Sequence, residues 1–215
     1  MARYGGKVII FARVLSVVVL FAINRSSSGA EPPKPVYYPN RINFTNDPKP
    51  FAVRVTKFVC TKTPYERTNL LLCKTVLRRN QPTVVHIKLH VPMVLNEIYF
   101  KLDTYYRYNE YRSFPVTLHT EVCAYFRNPS DDPMSRQAMS MALETMPQYM
   151  HYCPHGNTTY VMDYWLEEKF FPKSLPAGDF RFDVWLHDRD NQTLFSYQTF
   201  FSVRRRGVLK SLIEW

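Results

Sequence analysis

One interruption in an otherwise strand-like chain does most to limit its fold. Across residues 121–154 the two-residue alternation gives way to helical spacing, two of the four cysteines appear, and most of the methionines cluster. The stretch opens Glu121-Val-Cys123-Ala-Tyr125-Phe126 and closes His151-Tyr-Cys153-Pro154. On either side, apolar and polar residues alternate with the period of a strand that has one dry face. A helical insert pinned by a disulfide across an all-β body is the simplest structure that satisfies both patterns.

The clearest strand is 83–91, where Val85, Ile87, Leu89 and Val91 face one way and His86, Lys88 and His90 the other. Residues 97–105 repeat the pattern with Ile98, Phe100 and Leu102 inward. Residues 180–186 do so with Phe180, Phe182, Val184 and Leu186, entered through Pro176-Ala-Gly178-Asp179. Further strands are expected at 51–60, with an irregularity near Lys57, and at 71–78, 115–118, 160–164 and 194–203. Short alternating strands separated by turns predict an antiparallel β-sandwich rather than a parallel sheet, mainly β in class. Within the insert, residues 121–127 form a short helix stopped before Pro129. Ser130-Asp131-Asp132-Pro133 opens a second, in which Met134, Ala138, Met141 or Ala142, and Thr145 recur at helical spacing.

The first thirty residues lie outside that body. Arg3, Lys7 and Arg13 precede an apolar run at 14–23, and Ser28-Gly29-Ala30 supplies small residues, so 1–30 reads as a cleaved signal peptide. The run falls short of the roughly 20 residues that span a bilayer, which counts against a signal anchor. Pro32, Pro33, Pro35, Pro39, Pro48 and Pro50 make 31–50 an exposed, extended arm. Residues 51–206 are then the domain and 207–215 a tail. In an oxidising compartment Cys60, Cys73, Cys123 and Cys153 form disulfides. Four cysteines allow three pairings, which sequence does not choose among; local pairing, 60 with 73 and 123 with 153, is the expectation. Asn43, Asn157 and Asn191 stand in glycosylation sequons, as does Asn24 within the leader.

Removal of 1–30, with four basic and no acidic side chains, leaves +6 of the formal +10. That charge is scattered, which argues against nucleic acid as a partner and allows at most peripheral contact with a membrane. No GxSxG, HExxH, Walker or Rossmann pattern occurs, so no enzyme and no cofactor is expected. His151, Cys153 and His155 have a spacing that could hold zinc, but an oxidised Cys153 is no ligand, so no metal is expected. His86 and His90, about 13 Å apart along a strand, are too far apart for one ion. Glu167-Glu168 and Asp188-Arg189-Asp190 read as solvated turns, and Arg204-Arg205-Arg206 as a charged strand end.

Glu121-x-Cys123-x-Tyr125-Phe126, the helical insert, His151-x-Cys153-Pro154 and Pro176-x-Gly178-Asp179-Phe180-Arg181 together resemble a large insect family of secreted proteins. That family carries an uncharacterised-domain label and is grouped with the ML (lipid-recognition, ganglioside-activator-like) superfamily, including a chemosensory branch. Cys60 and Cys73 also fall where such proteins place a cysteine pair. Glu121 stands where an aspartate is commoner, and His155-Gly156 where an asparagine-rich run is often seen. The resemblance implies an immunoglobulin-like β-sandwich whose two sheets splay to hold an apolar ligand. The inward residues Val85, Ile87, Leu89, Ile98, Phe100, Leu102, Phe180, Phe182 and Val184 are the candidate ligand wall, with Met134 and Met141 from the insert. Met139, Met146 and Met150 complete a thioether cluster suited to a gate. The function expected is a secreted, non-enzymatic carrier of a lipid or other hydrophobic small molecule, in chemosensation on the family's example. The alternative is a filled sandwich that binds an extracellular or receptor protein through Tyr105, Tyr106, Tyr108 and Tyr111.

Overall fold

The alternating segments do become strands. In the computed structural model the described residues are 33–76 and 82–207, and the compact unit begins at Lys34. The expected signal peptide, the end of the strand expected at 71–78 and the tail from Val208 lie outside the described residues. Among the described residues the strands are β1 (Phe51–Cys60), β2 (Asn69–Val76), β3 (Val84–Leu95), β4 (Tyr99–Arg107), β5 (Tyr111–Glu121), β6 (His155–Trp165), β7 (Gly178–His187) and β8 (Thr193–Arg205). Two helices, α1 (Val122–Arg127) and α2 (Pro133–Thr145), make the insert between β5 and β6. The expected mainly-β sandwich is thereby borne out.

One sheet has the order β1-β8-β7-β4-β5 and the other β2-β3-β6, with every paired neighbour antiparallel. The irregularity expected near Lys57 is a register shift between Val55 and Lys57. It lets both Val55 and Phe58 point into the core despite their odd spacing, and both are buried.

Both disulfides pair as expected. Cys60 and Cys73, however, lie in separate sheets, β1 in the larger and β2 in the smaller. Their bond therefore clamps the sandwich shut along the β1/β2 edge. With a sequence separation of 13 it restricts the unfolded chain by about 3 kcal/mol. At the opposite edges, β5 and β6 are joined through the insert, and Cys123–Cys153 ties the start of α1 to the approach to β6.

Local chemistry sets the helix starts. Glu121 caps α1, its carboxylate accepting from the Cys123 amide at 2.9 Å and from the Ala124 amide, and reaching the Ile98 amide at 3.1 Å. Asp132 caps α2, accepting from the amides of Met134 (3.1 Å) and Ser135 (2.9 Å), with Pro133 in the first turn. Asp132→Ala is expected to lower stability by about 1 kcal/mol, read as a lower urea midpoint with an unchanged slope.

The proline-rich arm is exposed along most of its described length, as expected, but it is anchored at two residues. Val36 and Tyr38 are buried with Tyr125, Phe126, Met139 and Met150 in a second, smaller core. The Val36 amide donates to the Met150 carbonyl at 2.9 Å and the Tyr152 amide to that of Lys34 at 3.0 Å. Prolines leave intervening residues extended, and that extended backbone pairs along the segment 150–152.

Two of the acidic turns also differ from expectation. Asp188 is buried; it accepts from the amides of Asp190 and Gln192 and pairs with Arg67 at 2.5 Å. Glu168 pairs with Arg206 while its neighbours Phe170 and Phe171 enter the main core. Arg204 pairs with Asp179 at 2.6 Å, so the basic run does close a strand.

Candidate ligand cavity

The sandwich is packed at one end and hollow at the other. At the packed end Phe201 lies among Phe180, Phe182 and Phe171, with ring centroids 5.3, 4.7 and 5.4 Å away. At the other end, a cavity of about 290 Å³ lies between the sheets and beneath the insert. This is the lower end of the range of ligand pockets.

Ile87, Leu89 and Val91 of β3 form one wall, and Phe100 of β4 with Val184 and Leu186 of β7 face them. The lining includes no Lys, Arg, Asp or Glu. From the insert, Ala138, Met139, Ala142 and Met146 face the cavity at the spacing of one helix stripe, followed by Met150.

The expected wall residues separate into two groups. Ile87, Leu89, Ile98, Phe100 and Val184 line the cavity. Val85, Phe180 and Phe182 belong to the packed core, and Leu102 is half-buried without reaching the cavity. Alternation identifies a strand's inward face but not the depth along it, and these four stand nearer the filled end. Met134 and Met141 also miss the cavity; Met141 packs on the main core instead. The helical period is right and Ala138 and Ala142 of the expected stripe do face inward, but its methionines at 134 and 141 stand one residue, or about 100°, short of Ser135 and Ala142.

Residues the sequence reading missed include Leu118, Leu194, Phe195 and Tyr197, together with Tyr160, Met162 and Tyr164 of β6. Alternation at Tyr160, Met162 and Tyr164, and at Phe195 and Tyr197, was the available signal; Leu194, next to Phe195 at a register shift between β7 and β8, falls outside it.

At the insert end of the cavity, Tyr149 and His155 hydrogen-bond to the chain itself. The Tyr149 hydroxyl accepts from the Val161 amide at 2.8 Å and donates to the Val161 carbonyl. His155 is buried, stacks on His151 at a centroid distance of 4.1 Å, and hydrogen-bonds through Nε2 to the His151 carbonyl at 3.1 Å. Burial above all, with the nearby His151 second, pushes the His155 imidazole down to about 4 from 6.5.

This predicts acid sensitivity. The folded protein keeps His155 neutral while the unfolded chain takes up a proton through 6.5, so stability falls as pH drops from about 6.5 to about 4 and then levels. Urea unfolding at pH 7 and pH 4.5 should show a loss on the order of 2 kcal/mol that His155→Gln does not share.

Among the described residues no group of three or more His, Cys, Asp or Glu is placed to hold a metal. Cys153 is in a disulfide, and His86 and His90 pair separately with Asp163 and Thr159. No described helix is long and apolar enough to cross a membrane. Asn43, Asn157 and Asn191 are all exposed. The expected tyrosine patch is divided. Tyr106 packs inward on Phe180 at 5.0 Å, while Tyr105 lies under Arg181 and Tyr108 is exposed. Gly178 follows from this packing: a Cβ there would come within 2.4 Å of the Tyr106 ring.

Solved structures similar to the chain include two distant ones. Chicken MD-1 complexed with lipid IVa shares 14% identity over 74% of this chain and 100% of that one, at a TM-score of 0.31. A Niemann-Pick type C2 protein from the Japanese carpenter ant shares 11% over 74% and 97%, at 0.29. Both likenesses are too distant to bear on function. No curated protein matches. Residues 100–182 match the model of a family described as protein of unknown function (DUF1091). That segment runs from β4 through the insert into β7, and its match bears out the resemblance to an uncharacterised family that the sequence displayed.

Proposed function

We propose that this protein is a secreted, non-enzymatic carrier that holds a lipid or other hydrophobic small molecule between its two sheets. The observation that carries the reading is the cavity, lined almost wholly by apolar side chains and covered by a methionine-bearing helix. A sandwich selected for stability alone would fill such a space, because unfilled volume forfeits packing energy. Transfer of alkyl surface into it would contribute about 25 cal/mol per Å². Two disulfides and exposed sequons support an extracellular setting, and the family resemblance extends the reading to chemosensation. A receptor protein and peripheral contact with a membrane remain compatible with it.

Native mass spectrometry of the secreted, deglycosylated protein tests this directly. A reproducible extra mass, lost on organic extraction and recovered as a lipid, is expected. A bare mass that persists after incubation with mixed lipids and hydrocarbons would sink the proposal. Ala142→Phe should occupy the cavity from the helix side, reducing retained ligand at least tenfold while leaving the melting temperature unchanged or raised.

A further inference from the structure

Two tyrosines make the inner wall of this cavity chemically distinct from the rest. Tyr164 of β6 is only 6% exposed, and Tyr197 of β8 stands opposite Cys60 in the β1 register, beside the clamped edge. Their rings lie 5.9 Å apart, with Phe58 stacked on Tyr197 at 4.9 Å. Both line the cavity.

Among the described residues neither hydroxyl has a hydrogen-bond partner, in contrast to Tyr149 and Tyr160 on the same lining. Nor is either among the sealed unsatisfied atoms, which include Thr104 Oγ1 and Thr199 Oγ1. Each hydroxyl therefore retains accessible surface, and the open space its side chain lines is the cavity. A hydroxyl that faces an apolar cavity without a partner forgoes the hydrogen bond it would make in water, which is costly and uncommon in native proteins. Phenylalanine would fill the same volume without that cost.

We infer that Tyr164 and Tyr197 are a recognition site for a neutral oxygen function at the inner end of the ligand. The inference rests on the carrier reading and narrows its cargo. The ligand class is an apolar chain bearing an alcohol, ketone, aldehyde or ester oxygen, inserted with that oxygen toward the Cys60–Cys73 edge. One ligand oxygen can accept from both hydroxyls through its two lone pairs. A pure hydrocarbon would leave both donors unpaired. A carboxylate would meet no cationic side chain on the lining.

The test compares dodecan-1-ol with dodecane, binding each to the wild type and to the double variant Tyr164→Phe/Tyr197→Phe by displacement of a fluorescent naphthylamine probe. The quantity read is the ratio of the two affinities in each protein, which cancels their different transfer energies from water. The ratio should fall at least tenfold toward dodecane in the double variant, with dodecane affinity held or improved. The ligand-free variant should melt no lower than the wild type, because no native hydrogen bond is lost. If both compounds bind the wild type and the ratio is unchanged in the variant, the hydroxyl site is refuted and the carrier reading stands. If the wild type binds neither compound nor the probe, both are refuted. A ligand-free variant that melts clearly lower would show the hydroxyls to be structural and overturn the inference.

Discussion

Replacing Cys123 and Cys153 together by serine is expected to lower stability by about 4 kcal/mol and to release ligand. The bond closes a span of 30 residues, so its loss returns more freedom to the unfolded chain than loss of Cys60–Cys73 would. Within the fold it also holds the seat of the cover. Cys123 is buried in the first turn of α1, between the Glu121 cap and the cavity residues Tyr125 and Phe126. On the far side of the bond, the segment from Met150 through His155 carries the arm contacts and the stacked histidines. The arm and the Asp132 cap remain in the variant, so the insert should loosen rather than unfold completely. Urea unfolding should show the lower midpoint, and the naphthylamine probe should bind at least threefold more weakly at temperatures where β-sheet circular dichroism is intact. A variant with the lower midpoint but undiminished probe binding would mean that the insert does not retain the ligand.

Much of this arrangement is legible in the sequence because its strongest signals are local. The alternation at Val85, Ile87, Leu89 and Val91 gives a buried face without knowledge of the partner strand, and Asp132-Pro133 marks a helix start within one turn. The hollow is not local. Whether Phe180 or Phe100 borders it depends on what fills each end of the sandwich. Phe170 and Phe171 close one end from a segment whose acidic neighbours advertise a solvated turn. The anchoring of the arm is hidden for a similar reason: proline density reports an extended backbone, while the residues that bury Val36 and Tyr38 lie about a hundred positions away. Helical spacing in α2 leaves Met141 or Ala142 open, and only the packed structure shows that Ala142, with Ala138 and Met139, faces the cavity while Met134 and Met141 do not. The tyrosine hydroxyls become distinctive only beside Tyr149 and Tyr160 on the same lining, whose hydroxyls have partners within the chain.

Phe201→Ala and Phe100→Ala should differ in cost although both remove a phenyl ring from the inward face of the same sheet. Phe201 is 1% exposed and surrounded by three other phenylalanine rings, so its removal leaves a new void that rigid neighbours cannot fill. A loss of about 4 kcal/mol is expected. Phe100 already has open volume on one side and lacks partner atoms there, so the ligand-free protein should lose about half as much. Ligand reverses the order of interest. Loading stabilises only the folded state, by an amount that grows with concentration over Kd. Phe201→Ala should therefore keep the wild-type shift in melting temperature on adding dodecan-1-ol, and Phe100→Ala should lose much of it. Equal costs for the two substitutions without ligand would mean that the space beside Phe100 is closed in solution, and the carrier reading would lose its physical basis.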